Sequence, residues 1–303
     1  EAAFVGFRRK QSKQLIAITE CPILEERAEK LLPLLKDWLA KAQKPQSISH
    51  LEIAAGDDDM ALVVRHPRPL AAADLQQLEN LARAESLQLY LQPDTADSLK
   101  RHDQGPERLH YQLPEQQLQL SYHPSDFTQV NGTINRQMVS LAMQLLAPNQ
   151  NDRILDLFSG LGNFTLALAR QAKEVIGVEG SEKMVARGIE NAANNQIDNA
   201  QFYCADLTTE IFRNPWFSNK QHPGFNKILL DPPRAGAIDV IRQFERFPKA
   251  AMPEKILYIS CDPATLARDA AELVRQGYRM SQWGVMNMFP QTTHVESIAL
   301  FEP

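Results

Sequence analysis

The sequence predicts an α/β protein: a mostly parallel sheet covered by helices, preceded by a smaller α+β module. Three observations carry that reading. From about Tyr122 onward, strand-like and helix-like segments alternate regularly, as βα units of a parallel sheet do. Before Tyr122, short alternating strands are mixed with two helices. The residues with chemistry to offer fall just after strands, where ligands of open α/β sheets bind. A length of 303 residues fits two domains, drawn at 1–121 and 122–303.

In the first module, Leu15–Thr19, Ala61–Arg65 and Leu87–Leu91 read as strands. Ile23–Ala42 and Asp74–Ala84 repeat apolar residues at helical spacing. The polar stretch 93–107 reads as a long loop. In the second module the strands are Arg153–Leu157, Glu174–Val178, Gln201–Cys204, Lys227–Leu230 and Ile256–Ser260, closing on Gln282–Met286 and Glu296–Phe301. The helices are Asn163–Gln171, Glu182–Asn195, Ala237–Phe247 and Pro263–Arg275.

Composition bounds the function. Hydrophobic content is 44% and charged content 23%, ordinary for a chain that buries its own core. No apolar run approaches the ~18 residues that span a bilayer. Three cysteines (Cys21, Cys204 and Cys261) are too few for a disulfide framework, so a reducing cytoplasm is expected. The first residues, EAAFVGFRRK, show neither a starting Met nor a signal-peptide core, and read as a start inside a longer protein. A net charge of −5 excludes a generally basic surface, so affinity for a polyanion must be local. GFRRKQSK, with Arg8, Arg9, Lys10 and Lys13, is the candidate patch.

The segment Arg153–Ala169, RILDLFSGLGNFTLALA, is a strand, a glycine turn and a helix. Gly160 and Gly162 let the backbone turn tightly and approach a ligand, although a tight turn alone also explains them. The spacing departs from G-x-G-x-x-G, against a dinucleotide site. Glu179 ends the next strand about twenty residues on, placed to accept from both ribose hydroxyls of an adenosine. Asp206 ends a third strand, placed for the adenine amine; either acid could instead cap a helix. LLDPPRAGA puts Asp231 at the end of a fourth strand. Its DPP is similar to the DPPY loop of base-amine methylases, but Arg234 replaces the aromatic residue.

KILYISCDPATLARD puts Cys261 at the end of a fifth strand, before a helix at Pro263. A buried packing cysteine is one reading. The other is a nucleophile, its thiolate favoured by the helix N-terminus. A thiolate that adds to C6 of uracil turns C5 into a carbon nucleophile, and a base must then remove the C5 proton. Glu296 in FPQTTHVESIALF is the candidate base and His294 a weaker one.

Strand-end acids after three successive strands, together with DLFSGLGNF, resemble class I S-adenosylmethionine-dependent methyltransferases over Ile154 to about Phe301. SCDPATLARD, LLDPPRAGA, FTQVNGTINRQMV and MFPQTTHVES together resemble the RNA uracil-C5 methyltransferase family, most closely a branch acting on 23S ribosomal RNA. The resemblance, which includes GFRRK and ECPIL, runs through nearly the whole chain. It implies a Rossmann-like, mostly parallel seven-stranded sheet, with Cys261 as nucleophile and Glu296 as proton acceptor. It places Gln129, Phe158, Asn163, Glu179, Asp206 and Asp231 against S-adenosylmethionine. It makes Cys21 the fourth ligand of a [4Fe–4S] cluster whose other three cysteines, with an RNA-binding barrel domain, belong to a segment not in this sequence; the cluster is expected to be absent or incomplete here. Ser159 and Pro233 stand where the family often has Cys and Ala. The expected partner is 23S ribosomal RNA, with no membrane, no protein partner and a monomeric state. The alternatives are a transfer RNA or another 23S uridine as target, and a non-enzymatic RNA-binding or iron–sulfur module.

Overall fold

The computed structural model describes residues 3–209, 211, 214, 217, 224–247 and 252–303. They form two compact units, Glu1–Tyr111 with Tyr122–Asp126, and Gln112–Ser121 with Phe127–Pro303. The boundary therefore differs from a single cut at 121/122, because residues 112–121 group with the second unit. Two asparagines hold them there. Asn191 accepts from the Ser121 N–H at 2.8 Å, and Asn195 accepts from the Gln119 N–H at 2.9 Å.

The first unit begins with an antiparallel ribbon, β1 (Gly6–Arg8) and β2 (Leu15–Ala17), followed by α1 (Glu26–Lys41). A four-stranded sheet follows: β3 (His50–Ala55), β4 (Met60–Arg65), β5 (Gln88–Gln92) and β6 (Lys100–Arg101), in that order, with α2 (Ala72–Ala84) between β4 and β5. Its core joins Leu31, Leu35 and Trp38 of α1 and Leu78 of α2 to Leu62, Val64 and Leu89 of the sheet. Two features were not visible in sequence. The strand β3 carries Glu52 and is only partly buried, so its apolar signal is weak. The stretch 93–107 contains β6, pinned by Asp103, which accepts from the Leu89 N–H at 2.8 Å.

A hairpin of β7 (Leu109–Leu113) and β8 (Leu118–Tyr122) precedes α3 (Gly132–Leu146). The sequence reading missed α3, which opens on Gly132, Thr133 and Ile134, all poor helix formers. Burial of Met138, Val139, Ala142 and Leu146, and the Asn131 cap on the Ile134 N–H at 3.2 Å, decide it.

The second unit then alternates β9 (Arg153–Leu157), α4 (Thr165–Ala169), β10 (Glu174–Glu179), α5 (Glu182–Asn194), β11 (Ala200–Cys204) and β12 (Lys227–Leu230). It continues with α6 (Ile238–Gln243), β13 (Lys255–Ser260), α7 (Pro263–Arg275), β14 (Arg279–Met286) and β15 (Glu296–Glu302). Helices α4 and α6 are shorter than their periodicity suggests; a 3₁₀ turn, Phe244–Arg246, follows α6. The sheet order is β11-β10-β9-β12-β13-β15-β14. The first five strands are parallel; β15 runs antiparallel between β13 and β14. Strand order reverses at β9, which puts a ligand crevice at the carboxyl ends of β9 and β12. The core on this sheet includes Leu155, Leu157, Ile176, Val178, Ile228, Tyr258 and Phe301. No helix among the described residues is long and apolar enough to cross a membrane.

Candidate active site

The carboxyl edge of the second unit's sheet gathers nearly all the residues the sequence singled out. The glycine turn follows β9, Glu179 ends β10, Asp206 lies two residues past β11, and Asp231 and Cys261 directly follow β12 and β13. Glu296 opens β15, which runs the other way and so starts at the same edge. Ser260 pairs with Ser297 as the last registered pair of β13 and β15. Cys261 and Glu296 are the next residues outward on the two strands, and Glu296 electrostatically raises the Cys261 pKa. Thirty-five residues of sequence separation thus become adjacency at one strand end.

The turn after β9 is shaped by backbone conformation. Phe158 (φ 66°), Gly160 (φ 54°) and Gly162 (φ 97°) are all left-handed, a region open to glycine and uncommon for phenylalanine. The Phe158 and Ser159 N–H groups both donate to the Val178 carbonyl, at 2.9 and 3.1 Å, which turns the loop over β10. A Cβ on Gly160 would meet only Met184 Cε, at 3.9 Å, so the space beside it is open. Glu179 accepts from the Gly160 N–H and the Ser181 N–H, both at 3.1 Å. A carboxylate has about four lone-pair sites, so it retains room for two hydroxyl donors. Two buried polar atoms beneath the turn, Asp156 Oδ1 and Ser159 Oγ, have no partner. An open cradle, a strand-end carboxylate and orphaned acceptors fit a nucleoside-bearing cofactor such as S-adenosylmethionine.

Asp206 is exposed, and its Oδ1 accepts from the Thr208 N–H and hydroxyl at 2.9 and 2.7 Å, which holds its pKa below the usual carboxylate value. Gln129 Nε2 donates to Asp231 Oδ2 at 3.3 Å, so the segment before α3 closes on the end of β12. The Asn163 amide exchanges two hydrogen bonds with the buried Asn135 amide of α3, at 3.1 and 2.9 Å, which ties the turn to α3.

Three carboxyl groups are displaced upward. Burial raises Asp156 to about 7, offset in part by the Thr165 hydroxyl, which donates to Oδ2 at 2.5 Å. Burial raises Asp231 to about 7 against the Gln129 bond. Burial, then the Asp231 charge, raise Glu296 to about 8; it is 2% exposed. Cys261 corrects the expectation that the helix N-terminus favours its thiolate. Burial and then the Glu296 charge raise its pKa, and the Arg234 guanidinium only partly offsets them. Asp262 occupies the α7 N-cap, accepting from the Ala264 N–H at 2.9 Å. Arg234 Nη2 lies 3.1 Å from His294 Nε2, and both residues are exposed.

A polar clamp that periodicity could not reveal joins the turn after β12 to α7. Asp269 of α7, fully buried, accepts from the Ala237 N–H at 2.6 Å and the Tyr258 hydroxyl at 2.7 Å. Arg268 donates to Asp269 at 2.7 Å and to the Ala235 carbonyl at 2.8 Å. Gly236 (φ 79°) crosses so closely that a Cβ there would lie 2.5 Å from Arg268. The turn after Asp231 is therefore seated on the helix after Cys261. The signals were an acid in a helix face and a glycine after PPRA. Asp156 likewise was visible only as one charge in an apolar strand.

Cys204 is exposed at the end of β11. Cys21 is buried, in a turn closed by the Leu24 N–H on its carbonyl at 3.0 Å. No group of three His, Cys, Asp or Glu among the described residues is placed to hold a metal. A [4Fe–4S] cluster takes four thiolates, and Cys21 is the one cysteine of its unit. The residues present do not fit a cluster.

The family model described as tRNA (Uracil-5-)-methyltransferase matches residues 2–302. The chain belongs to that family. Among its relatives, the 23S rRNA (uracil(1939)-C(5))-methyltransferase RlmD of Alkalilimnicola ehrlichii is 48% identical over 300 residues, covering 98% of this chain and 66% of that protein. Its counterpart in Hahella chejuensis is 47% identical over 304 residues, covering 100% of this chain and 67% of that protein. The chain thus spans about two thirds of the length of these relatives. The crystal structure of Pyrococcus abyssi tRNA (uracil-54, C5)-methyltransferase in complex with S-adenosyl-L-homocysteine superposes with a TM-score of 0.74 at 22% identity, covering 98% of this chain and 72% of that one. The fold is that of the class I S-adenosylmethionine-dependent methyltransferases, as the sequence predicted.

Proposed function

We propose that the protein transfers a methyl group from S-adenosylmethionine to C5 of a uridine in 23S ribosomal RNA, in the cytoplasm. The carrying observation is the placement of Cys261 and Glu296 just beyond the Ser260–Ser297 pair, at the carboxyl edge of the sheet. Family membership supports the uracil-C5 chemistry, and the names of the 45–48% identical relatives support ribosomal RNA over transfer RNA.

The residues divide the work by position. Glu179 would take the ribose hydroxyls and Asp206 the adenine, with Phe158 shaping the turn and Asn163 tying it to α3. Asp231 and Gln129 line the side toward Cys261. When bound, S-adenosylmethionine supplies a methyl on a sulfonium sulfur, an electrophile. The uridine must leave its stack to expose C5 and C6. The Cys261 thiol gives its proton to solvent, Sγ bonds to C6, and the C5–C6 π pair moves into an enolate. C5 then takes the methyl as the carbon–sulfonium bond breaks. Glu296 accepts the C5 proton, the C5–C6 double bond re-forms, and the C6–Sγ pair returns to Cys261. A base near the working pH suits that proton transfer, worth ~10²–10⁴-fold, and Glu296 stands at about 8.

Incubation with 5-fluorouridine RNA and methyl-labelled cofactor tests this. Fluorine leaves no proton for Glu296 to remove, so a labelled covalent complex through Cys261 should accumulate. A Cys261→Ala variant that still methylates unmodified RNA would rule the mechanism out. Glu296→Gln should methylate and then stall with RNA attached.

A further inference from the structure

The turn that leads away from Asp231 is held by the helix that follows Cys261. The Gly236 N–H donates to the Pro233 carbonyl at 2.8 Å, so Arg234 and Ala235 are the two central residues of the turn. Pro232 and Pro233 have no N–H to donate, and Gly236 (φ 79°) gives the exit no stiffness of its own. The anchors come from α7. Arg268 donates to the Ala235 carbonyl at 2.8 Å on one side of Gly236, and Asp269 accepts from the Ala237 N–H at 2.6 Å on the other. The two anchors are locked to each other, Arg268 Nε donating to Asp269 Oδ1 at 2.7 Å. The Tyr258 hydroxyl of β13 donates to Asp269 Oδ2 at 2.7 Å, so one carboxylate spans both elements that flank Cys261. Asp269 is fully buried, a costly place for a carboxylate unless donors converge on it, as these three do. What the turn presents is Arg234. Its Nη2 lies 3.1 Å from Nε2 of His294, two residues before Glu296, at the end of the sheet where Cys261 stands. Burial and Glu296 raise the Cys261 pKa, the Arg234 guanidinium lowers it and Asp231 raises it. Among those charges Arg234 is the cation, the one that favours the thiolate.

We propose that Asp269, together with Arg268, is a positioning residue for the reaction: it fixes the turn after β12 so that the Arg234 guanidinium stays at the Cys261 end of the sheet. An arginine side chain has many rotamers, so an exposed one keeps its place only where its backbone is fixed. Asp269, being fully buried, acts through Arg234 and not on substrate. The inference deepens the proposed function by naming what holds a cation near its nucleophile, and rests on that reading for the role of Cys261.

Alkylation by iodoacetamide across a pH series, read at Cys261 by peptide mass spectrometry, tests it without RNA or cofactor; exposed Cys204 in the same molecule is the reference. Arg268→Ala removes the half-exposed arm of the clamp and leaves Asp269 its other two donors. It should slow Cys261 at neutral pH by at least about twofold, the lower end of coupling within one network, and move its profile to higher pH, since the thiolate is the nucleophile. A clamp that only stabilised the fold would act with the opposite sign, because loosening the site relieves the burial that keeps the thiol protonated. Asp269→Asn keeps an acceptor for the Ala237 N–H and the Tyr258 hydroxyl but drops the charge facing Arg268, and should slow Cys261 in the same way. In an Arg234→Ala background both substitutions should leave Cys261 reactivity unchanged. Faster alkylation, an unchanged profile, or effects that add to that of Arg234→Ala overturn the proposal. RNA methylation is measured in parallel. A wild type that methylates RNA without this coupling removes the inference and leaves the function standing; the coupling in a protein that does not methylate does the reverse.

Discussion

Glu296 should make the protein less stable as pH rises through neutrality, and Glu296→Gln should remove that dependence. The carboxyl is 2% exposed and its pKa moves from 4.5 to about 8, chiefly through burial. Between those values the folded state holds a proton that the unfolded state releases. The stability this gives is fully present below the unfolded pKa and is lost as pH rises through the folded one. From pH 6 to 8 the folded state loses about 2 kcal/mol through this one group, at about 1.36 kcal/mol per unit. With about 2–4 °C per kcal/mol for a unit of this size, the wild-type Tm should fall by about 4–8 °C more than that of Glu296→Gln over that interval. Asp156 and Asp231 also titrate near 7 and are present in both proteins; Asp231 interacts with Glu296, so the comparison reads Glu296 together with that interaction. Calorimetric melts of both proteins at the two pH values measure it. Equal Tm changes would show that Glu296 is not held protonated by its surroundings.

Cys261 should alkylate slowly near pH 7, because burial favours the thiol; Arg234→Ala should slow it further, and Glu296→Gln should speed it only above about pH 8, where the Glu296 carboxyl is charged, read by peptide mass spectrometry to separate exposed Cys204. Asp269→Ala should cost roughly 1–3 kcal/mol for each of the two buried donors it strands, the Tyr258 hydroxyl and the Ala237 N–H, measured by denaturant unfolding. Gly236→Ala should destabilise by about 1–3 kcal/mol, since its φ of 79° and the 2.6 Å approach to the buried Asp269 Oδ2 both oppose a Cβ; an unchanged midpoint would count against the clamp.

Much of the second unit was legible because parallel strands buried on both faces are written as short apolar runs, such as KILL and KILYIS, each ending at a residue that breaks the pattern. The breaking residues Glu179, Asp231 and Cys261 could therefore be placed at one edge before any coordinates. Helix α3 could not, since its opening residues are poor helix formers and its burial is tertiary. Grouping of residues 112–121 with the second unit and Tyr122–Asp126 with the first was not legible, because Asn191 and Asn195 hold the former by hydrogen bonds spanning about seventy residues of sequence.

The sequence by itself determined the fold class and the strand-end positions at one sheet edge of Cys261 and the acids it singled out. Periodicity and strand-end chemistry are local properties, readable along one chain. Only the tertiary structure decided the protonation of those groups. It buried Glu296, set Asp231 beside it and placed Cys261 near both, so that desolvation and like charge outweigh the helix N-terminus. It also paired the Asn163 amide with Asn135 and seated the Asp231 turn on Asp269. Desolvation and hydrogen-bond partnership depend on what the rest of the chain brings within a few ångströms, and no local pattern encodes that.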